Sequence, residues 1–200
     1  MSKNESDLIR RAKDGDSSAF EELVLTHQTK VYNLALRMTG NPEDALDLSQ
    51  ETFIRVYKAL PLFKGQSTFS TWIYSIASNI CLDFLRKQKK KKAVSISFSD
   101  LSREDDSAFE LPDSRFDPER EYEKAELRDA IAAGLDTLSP EHREILILRE
   151  INGLSYREIC DALDLEEGTV KSRISRARLQ LCNFLGNNSG KKASKERKGR

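Results

Sequence analysis

Residues 154–181 read LSYREICDALDLEEGTVKSRISRARLQL, and this stretch decides the fold. Ser155 and Glu158 have the S-x-x-E spacing of a capping box, in which each side chain satisfies a free amide of the first helical turn. Tyr156, Ile159, Cys160 and Leu163 then recur at helical spacing. Asp164-Leu165 interrupts the pattern. From Glu166 it resumes, with Val170, Ile174, Ala177 and Leu181 on one stripe. Lys171, Arg173, Arg176 and Arg178 fall largely off that stripe. A short helix, a tight turn and a longer basic helix are the parts of a helix-turn-helix.

Two short amphipathic helices can also be plain structure, and basic residues near a helix C-terminus favour its dipole without any ligand. Two details favour nucleic acid. Glu166 and Glu167 stand at the start of the second helix, so the bases that follow are not a general charge bias. Lys171, Ser172, Ser175 and Arg176 share one exposed face, with short side chains between long ones. That face suits close approach to base edges in a major groove.

The chain has 200 residues, 38% hydrophobic and 33% charged, with no net charge. It suits one or two small domains with modest cores. Charge is segregated into blocks, which read as solvated or interacting segments. RKQKKKK at 86–92 is basic, 100–123 holds ten acids against three bases, and 191–200 holds six bases and one acid. Cys81, Cys160 and Cys182 are far apart and only His27 and His142 accompany them, so neither a zinc site nor a disulfide framework is expected. No cofactor is expected either. The apolar runs are too short to span a membrane and the opening MSKNESD is polar. A soluble, cytoplasmic protein is therefore expected.

The first ninety residues read as consecutive helices. One covers about Ser6 to Lys13. Asp16 or Ser17 caps a second, which ends at Gly40. Asn41-Pro42-Glu43-Asp44 starts a third, with a cap, a proline at the first helical position and two acids. It ends before Pro61. PLFKGQS at 61–67 reads as a loop, and a long helix from Phe69 runs into the lysines. Residues 93–116 have no sustained period and read as a flexible acidic linker. Asp117-Pro118-Glu119 and Ser139-Pro140-Glu141 restart helices, and the helix-turn-helix follows. The expected fold is all-α, with two small helical domains, 1–92 and 117–186, the second containing the helix-turn-helix. The basic tail 187–200 is expected to be disordered.

Glu43, Asp44, Asp47 and Glu51, with Gln50 beside them, line one face of the third helix. Spacing alone leaves two readings, a solvated acidic face or a docking surface for a basic partner. Phe63, Phe69 and Trp72 lie beside Lys64, Gln66 and Ser67, a mixture that suits stacking and phosphate contact with single-stranded nucleic acid. Phe69 and Trp72 fit a core equally well, whereas Phe63, placed in a loop, is expected to be free for a base.

DALDLSQETFIRVY (44–57), FKGQSTFSTWIYSIASNICLDFLR (63–86), LSPEHREILILREINGLS (138–155) and GTVKSRISRAR (168–178) together resemble the extracytoplasmic-function, or group IV, sigma factors of bacterial RNA polymerase. The resemblance covers about residues 16–185. It implies two helical domains, sigma regions 2 and 4, that carry core polymerase to a promoter and help melt it. It implies polymerase docking, on the clamp helices of the largest subunit, through Asp44, Asp47, Gln50 and Glu51. It implies a −10 pocket from Ala59, Phe63, Lys64, Ser67, Ile76 and Asn79, with Arg86 on the same N-x-x-x-D-x-x-R pattern as Asn79 and Asp83. It implies −35 reading by Thr169, Lys171, Ser172, Ser175 and Arg176, with Arg173 and Arg178 at backbone-facing positions. Further implied partners are the polymerase flap, promoter DNA and an anti-sigma factor.

Leu46 stands where the family often has an acid, and Ser175 where it often has His. A dimeric repressor using the same helix-turn-helix would leave the first domain unexplained, and a pure sequestering protein would leave the basic face unexplained. An enzyme lacks any nucleophile–base or metal constellation.

Overall fold

The computed structural model describes residues 3–95 and 118–196, and side chains within 4–91 and 127–187. The described residues form helices and turns with no strand. Four helices make the first region: α1 (Lys3–Lys13), α2 (Ser17–Thr39), α3 (Pro42–Ala59) and α4 (Phe69–Ser95). Four make the second: α5 (Pro118–Asp136), α6 (Pro140–Leu146), α7 (Tyr156–Leu163) and α8 (Glu167–Glu196). The fold class is the expected one.

The helix ends follow the local sequence. Asp16 caps α2, its carboxylate accepting the Ala19 amide at 3.1 Å. Gly40 ends α2 at φ 70°, a left-handed conformation that costs glycine little. Asn41 accepts the Asp44 amide at 2.9 Å, and Pro42 opens α3. Thr68 accepts the Thr71 amide at 3.1 Å and starts α4. Ser139 caps α6 in the same way. A single 3-10 turn, Leu60–Leu62, follows α3 before the loop to α4. Beyond Leu146 the helix widens into a π-turn, Ile147–Ile151, closed by Asn152 N donating to Ile147 O at 3.0 Å.

α2, α3 and α4 pack Leu23, Leu34, Met38, Leu60, Phe69 and Ile73 out of solvent. α6, α7 and α8 do the same with Ile145, Ile147, Leu148, Ile159 and Ile174. Each such side chain contributes roughly 1.5–3 kcal/mol when removed from water. The two sets merge into one continuous apolar core. Gly134 lets α5 approach α8: a Cβ there would lie 2.5 Å from Leu181 Cδ1 and 3.2 Å from Phe184 Cδ1.

Three expectations change. Phe63 is buried, not a free loop aromatic, because the loop folds inward and its ring packs on Phe69 and Trp72. The backbone at 93–95 continues α4, since the lysine run and Ala93 are good helix formers with no breaker among them. The segment 187–196, expected to lack structure, continues the backbone of α8, as Gly186 and Gly190 do not by themselves end a helix. The rest of the acidic linker, 96–117, lies outside the described residues.

Candidate nucleic-acid interface

The helix-turn-helix is assembled from α7, the turn and the start of α8. Ser155 Oγ accepts the Glu158 amide at 3.2 Å, and Glu158 Oε2 accepts from Ser155 N at 2.9 Å, so the capping box is complete. These Ser155 contacts hold the Glu158 carboxyl below its usual range. Arg149 braces the entry, donating to Leu154 O at 2.6 Å and lying over the Tyr156 ring. Asp164 makes the turn at φ 52°, a strained conformation for a residue with a Cβ, and Leu165 N then bonds Cys160 O. Ser155→Ala should lower the stability of this region by about 1 kcal/mol. Denaturant unfolding followed by circular dichroism checks it; an unchanged midpoint would mean the cap is not holding α7.

Burial sets the roll of α8. Val170, Ile174 and Ala177 are at most 1% exposed, which turns Lys171, Ser172, Ser175 and Arg176 outward. Thr169 and Arg173 are half-buried at the edges of that face. Nothing lies within 4 Å of a Cβ built on Gly168, so the approach to the first turn is open. Two of the basic residues are already engaged. Lys171 Nζ meets Glu167 Oε1 at 2.6 Å, a contact that raises the Lys171 pKa. Arg178 Nε donates to Glu150 Oε1 at 3.0 Å, which raises its pKa and ties α8 back to the π-turn. Both pairs are solvent-exposed, so their net strength is small and a phosphate can compete.

In the first region, Asp47 and Gln50 are exposed on α3, and Asp44 is half-buried. Burial, with Asp47 and Glu43 nearby, raises the Asp44 pKa. Glu51 pairs with Arg55 at 2.7 Å. Sequence reading missed the apolar part of this surface. Phe20 and Val24 of α2 and Leu46, Phe53, Ile54 and Tyr57 of α3 line a groove of about 620 Å³. Leu46, Ile54 and Tyr57 are each about half exposed. The signal was present: these positions fall off the buried stripe of Ala45, Leu48, Thr52 and Val56. Leu46, where an acid is frequent in the family, thus adds an apolar contact beside the acids.

The loop side is less uniform. Ala59, Ser67 and Ile76 are half-buried, while Lys64, Asn79 and Arg86 are exposed. Asn79, Asp83 and Arg86 follow one face of α4, and Arg86 pairs loosely with Asp83 at 3.5 Å. Phe63 is only 5% exposed, its ring 4.9 Å from Trp72 and 5.4 Å from Phe69. Lys13 of α1 donates to the Phe63 carbonyl and lies over its ring. The exposed apolar side chain of this loop is Leu62, 77% accessible. No cluster of potential metal ligands occurs among the described residues.

Residues 23–91 match the family model of Sigma-70 region 2, and residues 128–181 match that of Sigma-70, region 4. The chain is 38% identical over 174 residues to the RNA polymerase sigma-H factor of Pseudomonas aeruginosa, covering 86% of this chain and 88% of that protein. It is 36% identical over 176 residues to the ECF RNA polymerase sigma-E factor of Escherichia coli, covering 88% and 91%. It is 38% identical over 182 residues to the ECF sigma factor SigE of Mycolicibacterium smegmatis, covering 90% and 67%. Among solved structures, CnrH in complex with the cytosolic domain of CnrY is similar with a TM-score of 0.66 at 25% identity, over 92% of this chain and 98% of that one. The sigma factor RpoE bound to the anti-sigma factor NepR, from Bartonella quintana, has the same fold, with a TM-score of 0.66 at 23% identity over 84% and 96%.

Proposed function

The chain belongs to the extracytoplasmic-function group of the sigma-70 family, and from that premise we infer that it directs core RNA polymerase to specific promoters and initiates transcription there. One observation carries the reading most directly. The exposed face Lys171–Ser172–Ser175–Arg176 sits on a helix whose roll is fixed by a buried stripe, inside the segment that matches region 4. A fixed helix with alternating long and short polar side chains is what major-groove readout requires.

On this reading residues 117–186 form the −35 unit, read by Thr169, Lys171, Ser172, Ser175 and Arg176, with Arg173 and Arg178 on the backbone. Residues 1–92 form the −10 and polymerase-docking unit. Ala59, Lys64, Ser67, Ile76, Asn79 and Arg86 serve the −10 element. Phe63 shapes that loop from beneath and does not stack on a base in this conformation. Asp44, Asp47, Gln50 and Glu51, together with the adjoining groove, dock on polymerase. The protein performs no chemistry of its own and acts in the cytoplasm, where its template is. No described helix is long and apolar enough to cross a membrane. An anti-sigma factor is the expected antagonist, since CnrH is seen with the cytosolic domain of CnrY.

Run-off transcription with purified core polymerase on a genomic promoter library tests the whole assignment. Promoter-specific transcripts that require this chain support it; none above core alone would refute it. For the docking face, Asp47→Lys should weaken holoenzyme formation roughly tenfold or more, through charge reversal at a complementary surface. Its helical circular dichroism should stay unchanged. Unaltered affinity for core polymerase would show that the acidic stripe is only solvated.

A further inference from the structure

The loop assigned to the −10 element is held at both ends. At its far end Thr68 starts α4, accepting the Thr71 amide at 3.1 Å, with the two hydroxyls 2.8 Å apart. That anchor is local. At the near end Phe63 is held by three separate contacts. Its amide donates to Leu60 O at 3.1 Å and closes the 3-10 turn. Its ring is buried against Phe69 and Trp72. Its carbonyl accepts from the Lys13 ammonium of α1, which also lies over the ring, 5.6 Å from the centroid. Residues 64–67, KGQS, are suspended between these two ends.

The Lys13 contact comes from 50 residues earlier in the chain, and α1 is firmly seated to make it. Leu8, Ile9 and Ala12 are buried, which fixes the direction of the neighbouring Lys13. Arg11 ties the end of α1 to the cap of α2 through Asp16 at 2.6 Å. Near the start of α1, Glu5 Oε1 lies 3.1 Å from Nε2 of His27, whose ring stands edge-on to Phe69 at 5.5 Å. α1 therefore meets the aromatic cluster beneath the loop from two sides.

The three contacts on Phe63 do different things. The amide and the ring fix where the residue sits. The carbonyl fixes how the chain leaves it, because the Phe63 C=O and the Lys64 N–H share one rigid peptide plane. Holding the carbonyl sets the rotation of that plane, and hence the direction in which Lys64 departs. A charged donor holds a carbonyl roughly twice as strongly as a neutral one, and the ring below adds cation–π attraction. Resting on the −10 assignment above, we propose that Lys13 is a positioning residue for −10 reading: from α1 it sets the peptide plane between Phe63 and Lys64, and with it the placement of Lys64 and Ser67, without itself touching DNA. Lys13 is exposed, so the rival role is a direct phosphate contact. The two roles leave different signatures. A phosphate contact lowers affinity evenly across sequences and makes binding less sensitive to salt, whereas a misplaced loop loses discrimination between bases.

The test uses holoenzyme made from core polymerase and the full chain, on a promoter defined by run-off transcription. Single-stranded −10 oligonucleotides, matched or with one base substituted, are compared by competition binding at several salt concentrations, beside a −35 duplex. Lys13→Met keeps the stem and removes the charge, Lys13→Arg restores a charged donor, and Arg10→Ala removes a base of α1 whose partner is Asp7 of the same helix. Lys13→Met should lower the matched-to-substituted affinity ratio roughly tenfold, the effect of one hydrogen bond to a charged group. Affinity for the −35 duplex and the salt dependence should not change. Lys13→Arg should recover most of the ratio, and Arg10→Ala should keep it. Unfolding followed by circular dichroism guards against a general loss of structure; if Lys13→Met does not fold, Lys13→Ala, the best helix former, takes its place with the same expectations. An even loss on matched and substituted strands, with a salt slope shallower by about one, would make Lys13 a phosphate contact and overturn the proposal. An unchanged ratio in a wild type that does discriminate would overturn the proposal alone. A wild-type holoenzyme that shows no preference among −10 bases would refute the −10 reading of the loop, and the positioning role with it.

Discussion

Phe63→Ala should lower the stability of the first helical region by about 3–5 kcal/mol, the cost of removing a buried aromatic and leaving its cavity. The ring is nearly inaccessible and touches Phe69 edge-on and Trp72 at a tilt. It also anchors Lys13, which donates to the Phe63 carbonyl from α1. A small helical protein has only about 5–15 kcal/mol in total, so this single change consumes a large part of it. Denaturant unfolding followed at 222 nm, with Trp72 fluorescence as a second probe, measures the effect. An unchanged midpoint would show that the aromatic cluster is not a structural unit and would restore Phe63 as a free surface aromatic. Promoter opening by this variant should be compared only at temperatures where it is folded.

The second large effect is on sequence reading. Arg176→Ala should reduce affinity for a matched −35 duplex by roughly ten- to a hundredfold, and reduce affinity for a scrambled duplex far less. Arg176 is exposed, makes no ion pair among the described residues, and lies one position from the buried Ala177 that fixes its direction. Lys171→Ala should act in the same sense but more weakly, because Glu167 already holds the Lys171 ammonium and must release it. Arg178→Ala should weaken all sequences evenly, as expected for a phosphate contact, and it also frees Glu150. Competition binding on matched and scrambled duplexes at fixed salt separates these cases. Equal losses on both duplexes for Arg176→Ala would remove it from the base-reading face.

Much of this was legible in the chain itself. Capping residues and prolines act within one helical turn, so Asp16, Asn41-Pro42, Ser139-Pro140 and Ser155–Glu158 marked helix starts that the structure reproduces. The stripe Val170–Ile174–Ala177 faced the core because a helix has a fixed period, and the outward Lys171–Ser172–Ser175–Arg176 face followed from it. The loop position of Phe63 predicts an exposed ring, whereas the ring is buried. Phe63 is buried because the chain after Leu60–Leu62 turns its ring onto Phe69 and Trp72, a packing that depends on two other helices.

Sequence by itself determined the all-α class, the succession of helices and the basic reading face, since each rests on dihedral preferences and periodicity over a few residues. Only the tertiary structure decided what joins the two regions. Nothing in HREILIL distinguishes Arg143 and Glu144 from two solvated charges on a helix. Their burial, the donation from Arg143 to Met38, and the meeting of Glu144 with Ser78 arise between residues far apart in the chain. The same holds for the groove beside the acidic face, which needs Phe20 and Val24 of α2 brought against α3. Those contacts depend on how whole helices come together, and a pattern read along one helix carries no information about its neighbour.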